Sequence, residues 1–324
     1  MCRRHPRIQR LPLTCRPHVP RPYPRCRCRA PQRQNFQPSS SLPIKPRQIM
    51  QTCYSFISKN PTAGCGTMSP ITPNFEGLAD NYSRNRPQYP QRMLGELKRL
   101  LPDGHLTVID LASGTGISTR AISKALGERA KIVGVEPSED MRRRAEEDSK
   151  NRPSIRYEDG KAENLSVGDE TLDVIFVGQA LHWFDRPAFY TEAGRVLKPG
   201  GIVTIARNTR NWHKSELVAE YEGFHEKYLP GFSRTERELD AAAELAALDW
   251  VDRTEVFKEE WVRPMKLPSF LGMAQSSSKV TQALNNAGWD DGMAELIAIA
   301  ERHMDGDGFI VLPYVSVMVC AVKA

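Results

Sequence analysis

Residues 107–136 constrain the fold more than any other part of the chain. They read as an apolar run that ends in Asp110, a turn that contains Gly114 and Gly116, an amphipathic segment, and a second apolar run followed by Glu136. Short apolar runs predict buried strands, and apolar residues at helical spacing between them predict a helix. Glycine lets a turn adopt positive φ. The stretch therefore predicts a strand–turn–helix–strand unit of a parallel sheet.

The alternation of strand and helix continues through the middle of the chain. It predicts a doubly wound parallel sheet with helices on both faces. The continuous apolar run at 172–177 is typical of a strand that is buried on both sides. Strands are predicted at 106–111, 131–135, 155–157, 172–177 and 202–206, and helices at 117–127, 138–150 and 185–195.

The last third of the chain departs from this alternation. Together with the middle, it predicts an α/β fold with a doubly wound, Rossmann-like, seven-stranded and mostly parallel sheet that carries a helical cap. A leading segment, 74–101, predicts two further helices around a Pro-containing loop. In the last third, helices are predicted at 215–228, 234–248, 269–284 and 293–304, and strands at 254–262 and 309–322.

Charge is distributed unevenly along the chain. Residues 1–75 hold 13 of the 45 Lys and Arg and none of the 39 Asp and Glu, so 32 bases face 39 acids in the remainder. We expect residues 1–70, which are rich in Arg and Pro, to be a disordered extension. Three interpretations are open. The segment is an extension without a role, or is not translated because the protein starts at Met50 or Met68. It is otherwise an organelle presequence, or a basic arm for RNA or acidic surfaces.

Composition also bears on compartment and partners. Cys320 is the single cysteine after residue 75, so the body does not depend on disulfides and suits a reducing compartment. We expect a cytoplasmic protein, with the mitochondrion or plastid as the alternative if the extension is a presequence. The apolar run 312–322 is too short to span a membrane. Nucleic acid is not expected as a partner of the acidic body, no obligate protein partner is evident, and no metal cluster is recognised.

The turn and the acid after the second strand together predict a nucleoside-type ligand. Unpaired N–H groups at the start of the following helix suit an anionic group. Glu136 lies 20 residues after Gly116, where an acid can accept hydrogen bonds from ribose hydroxyls. A dinucleotide-binding fingerprint would place a third glycine at Thr119. Because the chain has threonine at that position, a nicotinamide-dependent Rossmann oxidoreductase is the second hypothesis.

Five motifs in order carry a family resemblance: DLASGTG, VGVEPSEDM, GKAENL, GQALHWFD and RVLKPGG. With them, residues 75–324 resemble the class I S-adenosylmethionine-dependent methyltransferases of the small-molecule branch, which includes methyltransferase type 11 and trans-aconitate-methyltransferase-like proteins. The resemblance implies a methyltransferase domain over 71–324, with the cofactor half at about 105–207 and the cap and last strands at about 208–324. It implies S-adenosyl-L-methionine as cofactor and a small-molecule methyl acceptor that offers a carboxylate or hydroxyl.

The resemblance also implies which residues contact the cofactor. Ala112 stands where many members have glycine, and Lys161 stands where many have an acid or serine. The cofactor-binding residues that it implies are Asp110, Ala112, Gly114, Gly116, Thr119, Glu136, Pro137, Ser138, Met141, Ala162, Glu163 and Gln179.

Residues at the predicted acceptor side are fewer. His182 follows the fourth strand and is a candidate general base, with a structural role beside Trp183 as the alternative. Substrate-binding candidates are Tyr82, Arg86, Trp183 and Arg207. Arg210 is a further candidate, because guanidinium groups bind carboxylates bidentately. A nonenzymatic alternative is an RNA-binding or regulatory protein with a vestigial cofactor site.

Overall fold

The computed structural model describes residues 79–234 and 240–324. The described residues belong to one structural unit. The expectations for the basic extension at 1–70 lie outside the described residues, as does part of the helix predicted at 234–248.

A seven-stranded sheet forms the centre of the fold. Its order is β3-β2-β1-β4-β5-β7-β6, with β1 to β5 parallel and β7 antiparallel to both of its neighbours. This confirms the predicted Rossmann-like, mostly parallel sheet. The strands are β1 (Leu106–Leu111), β2 (Ala130–Val135), β3 (Ile155–Glu158), β4 (Leu172–Gly178), β5 (Leu197–Arg210), β6 (Val251–Met265) and β7 (Ile310–Lys323).

Helices cover the sheet and form the cap. Asp185 caps one of them by accepting the N–H of Ala188, and Gly127, with φ 72°, ends another. The helices are α1 (Ala79–Asn85), α2 (Gln91–Leu100), α3 (Ile117–Leu126), α4 (Glu139–Ser149), α5 (Arg186–Val196), α6 (Glu216–Tyr228), α7 (Ala241–Ala246), α8 (Leu267–Gln275), α9 (Ser278–Ala287) and α10 (Trp289–Arg302).

Both faces of the sheet are buried by apolar side chains. Successive residues of a strand point to opposite faces, so Val108 and Ile109 of β1 belong to different clusters. Val108 packs in the cluster of α2 and α3 with Ile122, and Ile109 packs in the cluster of α5 and α7 with Phe189. Double burial explains why the parallel strands read as continuous apolar runs.

The helical cap has an apolar core of its own. Side chains of α6, α8, α9 and α10 cluster with Met265 at the end of β6 and with Ile310 and Leu312 at the start of β7. The long β5, β6 and β7 strands therefore reach from the sheet into the cap. This confirms the predicted cap and shows that it packs against the ends of sheet strands.

Several predicted boundaries were wrong. The helix predicted at 269–284 is two helices, because Ser277 adopts an extended conformation (φ −103°, ψ 123°) between α8 and α9. Strands predicted at 202–206 and 254–262 are longer, since β5 pairs with β7 as far as Arg210 and β6 pairs with β7 from Val251 to Met265. Charged residues on exposed positions of these strands hide their length from apolar patterning.

The approach of Tyr157 to β2 requires a glycine. Tyr157 of β3 lies against Gly134, and a Cβ added at Gly134 would come within 3.0 Å of the tyrosine ring and of Ser113 Oγ. The same ring lies beside Gly116 at the start of α3. Tyr157 therefore packs β3 against the base of the turn after β1.

We expect Gly134→Ala to lower the free energy of unfolding by about 1–3 kcal/mol, because the added methyl group overpacks this contact. Urea denaturation measures the change. The control is Gly95→Ala on the exposed side of α2, where no atom lies within 4 Å of the added Cβ. That change should raise stability by about 0.5–1 kcal/mol. Equal stabilities for the two variants would contradict the proposed packing role of Tyr157.

Candidate functional site

The turn after β1 has an unusual backbone. Ala112, Gly114 and Gly116 have φ of 50°, 55° and 76°, so alternate residues are left-handed. The N–H of Gly116 donates to the Ser113 carbonyl at 2.9 Å, which curls the turn before α3 begins. A left-handed alanine costs about 1–2 kcal/mol relative to an ordinary conformation. Strain of this kind persists where the surrounding structure holds it, and it clusters at binding sites.

Glu136 closes the turn from the neighbouring strand. It lies directly after β2, is 8% exposed, and accepts the N–H of Gly114 at 2.9 Å and the N–H of Ser138 at 3.0 Å. Burial raises the pKa of its carboxyl group, and the two backbone donors oppose that rise. Each carboxylate oxygen has a second lone pair. The group can therefore hold the turn and accept a further donor.

Asp110 lies at the end of β1 and is fully buried. Its Oδ2 accepts the hydroxyls of Ser118 at 2.7 Å and Thr119 at 2.5 Å. Burial raises the pKa of Asp110 to about 7, while these hydrogen bonds act in the opposite direction. Thr119 thus lies beside the turn with its hydroxyl bound to Asp110. Ser118 was not among the predicted site residues, although its place in the first turn of α3 was a usable signal.

Three buried oxygens in or beside the turn have no hydrogen-bond partner among the described residues. They are Asp110 Oδ1, Ser113 Oγ and Thr115 Oγ1. Buried polar atoms in proteins are almost always hydrogen-bonded to protein or water. A polar ligand or ordered water at this turn would satisfy these atoms, so the donor and acceptor set fits a polar cofactor.

The residues that follow Glu136 lead into α4. Ser138 accepts the N–H of Met141 at 3.4 Å and caps α4, while Met141 is buried and Pro137 is exposed. Ser138 is therefore joined to the turn through the Glu136 carboxylate, which accepts its N–H and that of Gly114.

Ala162 and Glu163 follow β3 and occupy different environments. Ala162 is buried in the apolar cluster that contains Leu111 and against which Ala112 packs. Glu163 is half-buried, and it accepts the N–H of Asp185 at 3.0 Å. Ala162 thus packs in the apolar core, and Glu163 holds the start of α5.

Gln179 directly follows β4, the strand beside β1, and also has a positive φ, 60°. Its N–H donates to the Ala206 carbonyl at 2.9 Å, and its side-chain amide donates to the Asn208 carbonyl at 2.7 Å. Both hydrogen bonds bind the end of β4 to β5. The strained residue is therefore held at the same edge of the sheet as the turn, where ligands of open α/β sheets bind.

Asn208 organises a buried network that sequence reasoning missed. Its side chain donates to the Gln88 carbonyl at 3.3 Å and accepts the Ser316 hydroxyl at 2.6 Å. Ser316 in turn accepts the indole N–H of Trp261 at 2.7 Å. The network joins β5, β6 and β7 to the loop before α2. Asn208 lies two residues beyond the strand predicted at 202–206, so the apolar pattern gave no reason to expect a buried amide there.

His182 and Trp183 lie in a short 3-10 turn after β4. Both side chains are exposed, Trp183 by 50%, and their ring centroids are 4.4 Å apart. This arrangement leaves the imidazole accessible from solvent. The role of His182 as a general base stays a prediction.

The N-terminal segment brings Tyr82 and Arg86 together. The Arg86 guanidinium lies 4.8 Å from the Tyr82 ring centroid and donates to the Ser276 carbonyl at 2.9 Å, between α8 and α9. Tyr89 is buried and packs edge-on against Phe176 at 5.6 Å. The segment is therefore fastened to both cap and sheet.

The two candidate arginines of β5 differ. Arg207 is half-buried on β5. Arg210 donates to Glu222 Oε1 from Nε at 3.0 Å and from Nη2 at 2.7 Å, and both side chains are largely buried. Breaking a buried ion pair leaves an uncompensated charge. The described contacts therefore assign Arg210 to an ion pair that joins β5 to α6. The sequence had suggested a contact with a carboxylate of the substrate.

Residues 109–205 match the family described as "Methyltransferase domain". They cover the turn, Glu136, Gln179 and His182. This part of the chain is therefore similar to methyltransferase domains. The chain is 33% identical over 142 residues to an uncharacterized methyltransferase of Mycobacterium tuberculosis (strain ATCC 25618 / H37Rv), which covers 43% of this chain and 53% of the relative. The chain thus matches about half the length of that relative.

Two further relatives extend the comparison. A demethylmenaquinone methyltransferase of Staphylococcus haemolyticus (strain JCSC1435) is 26% identical over 211 residues, covering 61% of this chain and 87% of the relative. A protein from Anaeromyxobacter dehalogenans, provisionally assigned as a type II methyltransferase, superposes with a TM-score of 0.54 at 21% identity, covering 73% of this chain and 97% of that one. The structural likeness shows the fold.

The described helices cover the sheet and form the cap. Within 79–234 and 240–324, none of them has the length and apolar character needed to cross a membrane.

The raised pKa of Asp110 predicts a pH-dependent stability. Between the ordinary carboxyl pKa of 3.8 and about 7, the folded protein keeps a proton that the unfolded chain loses, so this group's contribution falls as pH rises through that window. The two pKa values differ by the equivalent of about 4 kcal/mol at most. Asp110→Asn removes the titration. The stability of the wild type relative to the variant should therefore fall by a few kcal/mol between pH 4 and pH 8.

Urea denaturation across that pH range measures the difference. Asp103→Asn, on an exposed turn, is the matched control for removal of one carboxylate. If the difference in stability between the wild type and the Asp110→Asn variant does not change with pH, the raised pKa is contradicted.

Proposed function

We propose that the protein transfers a methyl group from S-adenosyl-L-methionine to a small molecule. The observation that carries the proposal is the left-handed turn at 112–116, closed by the buried carboxylate of Glu136 at the adjacent strand end. The three buried oxygens without partners among the described residues support a polar ligand in the same place. The methyltransferase domain over 109–205 supports this choice of cofactor.

The site supports this cofactor better than a nicotinamide dinucleotide. At the position of the third fingerprint glycine, Thr119 is fully buried and its hydroxyl is bound to Asp110. That glycine normally allows close packing of helix on strand. A β-branched residue there favours a cofactor without the dinucleotide geometry.

The residues of the chain would bind the cofactor, orient the methyl acceptor and exclude water. When bound, the cofactor supplies an activated methyl group on its sulfonium. Glu136 would accept the ribose hydroxyls, and the backbone of the turn would hold the methionine part. Holding donor and acceptor in line can contribute about 7–11 kcal/mol of barrier reduction. His182 would take a proton at its imidazole nitrogen where the acceptor is a hydroxyl.

The acceptor would lie between the sheet edge and the N-terminal segment. Tyr82 and Arg86 there present an aromatic ring and a guanidinium, and Trp183 presents an exposed indole. The similarity to an enzyme named for demethylmenaquinone supports a small-molecule acceptor. Arg86 and Arg207 favour an acceptor that carries a carboxylate.

Ligand titration tests the choice of cofactor. We expect saturable calorimetric binding of S-adenosylmethionine and S-adenosylhomocysteine, and none of NADH, because Thr119 replaces the third glycine. Binding of NADH alone would contradict the proposal and indicate a nicotinamide-dependent oxidoreductase. No binding of any of the three to the folded protein would leave a vestigial site.

We expect Glu136→Ala to weaken S-adenosylmethionine binding by about 2–3 kcal/mol, up to about a hundredfold, through loss of charge-assisted hydrogen bonds. It should also lower stability, because the N–H groups of Gly114 and Ser138 lose their acceptor. The control is Glu158→Ala, an exposed carboxylate on the neighbouring strand β3. Calorimetry and urea denaturation separate the two effects. An unchanged affinity in the folded variant would defeat the ribose contact.

A further inference from the structure

Strand β6 forms one outer edge of the sheet. It runs for 15 residues, and among the described residues it pairs only with β7. A long edge strand offers unpaired N–H and C=O groups to another strand. It also carries Val256 (55% exposed) and Val262 (60% exposed), the most exposed large apolar side chains among residues 79–234 and 240–324.

The exposed side chains on one face of β6 follow an order that is complementary to the same order read in reverse. Alternate residues of a strand share a face, and on one face the order is Val256, Lys258, Glu260 and Val262, all exposed. Read backwards, the order is valine, glutamate, lysine and valine. In an antiparallel pair with a second copy of itself, this face would place each valine opposite a valine and each lysine opposite a glutamate.

Strand geometry restricts the pairing to a few registers. Opposite residues in an antiparallel pair lie on the same face of the sheet. In a pair of identical strands, one residue must therefore lie opposite its own counterpart, and the twofold axis lies at that residue. With the axis at Glu259, Val256 faces Val262 and Lys258 faces Glu260. With the axis at Lys258, Val256 would instead face Glu260, and the charge pairs would be lost.

The other face of β6 supports the same register. With the axis at Glu259, Phe257 faces Trp261 of the other copy, and Glu255 faces Arg263. Within its own chain Glu255 also accepts from Arg99, and Arg263 donates to the Asn85 carbonyl. Aromatic and opposite-charge pairs across strands each contribute favourably. Glu259 meets its own counterpart, which is the single like-charge contact of the register.

We propose that β6 pairs antiparallel with β6 of a second copy of this chain, about a twofold axis at Glu259. Two seven-stranded sheets then become one continuous sheet. Glu260 already pairs with Lys214 in its own chain, but both side chains are about half exposed or more. An exposed pair of this kind is weak, and the carboxylate can accept from Lys258 of the second copy as well. Pairing through one strand buries a small interface, so the dimer should dissociate on dilution.

Charge variants test the register. Lys258→Glu places acids opposite acids, and Glu260→Lys places lysines opposite lysines, so each variant alone should be monomeric. An equimolar mixture of the two brings opposite charges together at every such pair and should dimerise. The double variant Lys258→Glu/Glu260→Lys is again complementary to itself and should dimerise too. Sedimentation velocity of the full chain over a range of concentrations measures each state.

The control is Lys124→Glu, the same charge change at an exposed position of α3, which should dimerise like the wild type. Urea denaturation checks that every variant is folded. A wild type that stays monomeric at all concentrations would overturn the proposal. So would single variants that dimerise as the wild type does, or a mixture that fails to recover the dimer. The test does not depend on the methyl acceptor or on cofactor binding.

Discussion

The carboxylate of Glu136 joins two turns at one edge of the sheet, and the candidate site depends on it. One oxygen holds the N–H of Gly114 after β1, and the other holds the N–H of Ser138 after β2. Burying a carboxylate is costly unless it is hydrogen-bonded, and these donors offset part of the cost. Because the group is already held in place, a ligand hydroxyl would meet an acceptor that needs little reorganisation.

Strain and unsatisfied polarity meet at the same edge. Ala112 and Gln179 are two of the three described non-glycine residues with positive φ, and they follow the adjacent strands β1 and β4. Asp110, at the end of β1, keeps one buried oxygen without a partner among the described residues. Proteins tolerate such features where binding uses them. The coincidence of strain and orphaned oxygens supports a ligand at the carboxyl ends of β1, β2 and β4.

Local chemistry made much of the fold predictable. The five parallel strands, the end of α3 at Gly127 and the cap of α5 at Asp185 follow from apolar runs, a left-handed glycine and a side-chain acceptor. The turn and Glu136 could be predicted to lie together, because the carboxyl ends of parallel strands share an edge. Predictions for the antiparallel part were poorer, since the exposed positions of β6 are mostly charged or polar and its length depends on β7.

The sequence by itself determined the order of strands and helices and the turn at which a cofactor would bind, because both arise from residues close in the chain. Only the tertiary structure decided which partners the polar side chains take. Arg210 pairs with Glu222, Arg86 reaches the carbonyl of Ser276, and Asn208 joins three strands to the N-terminal loop. These contacts join segments that folding brings together, and no local periodicity records them.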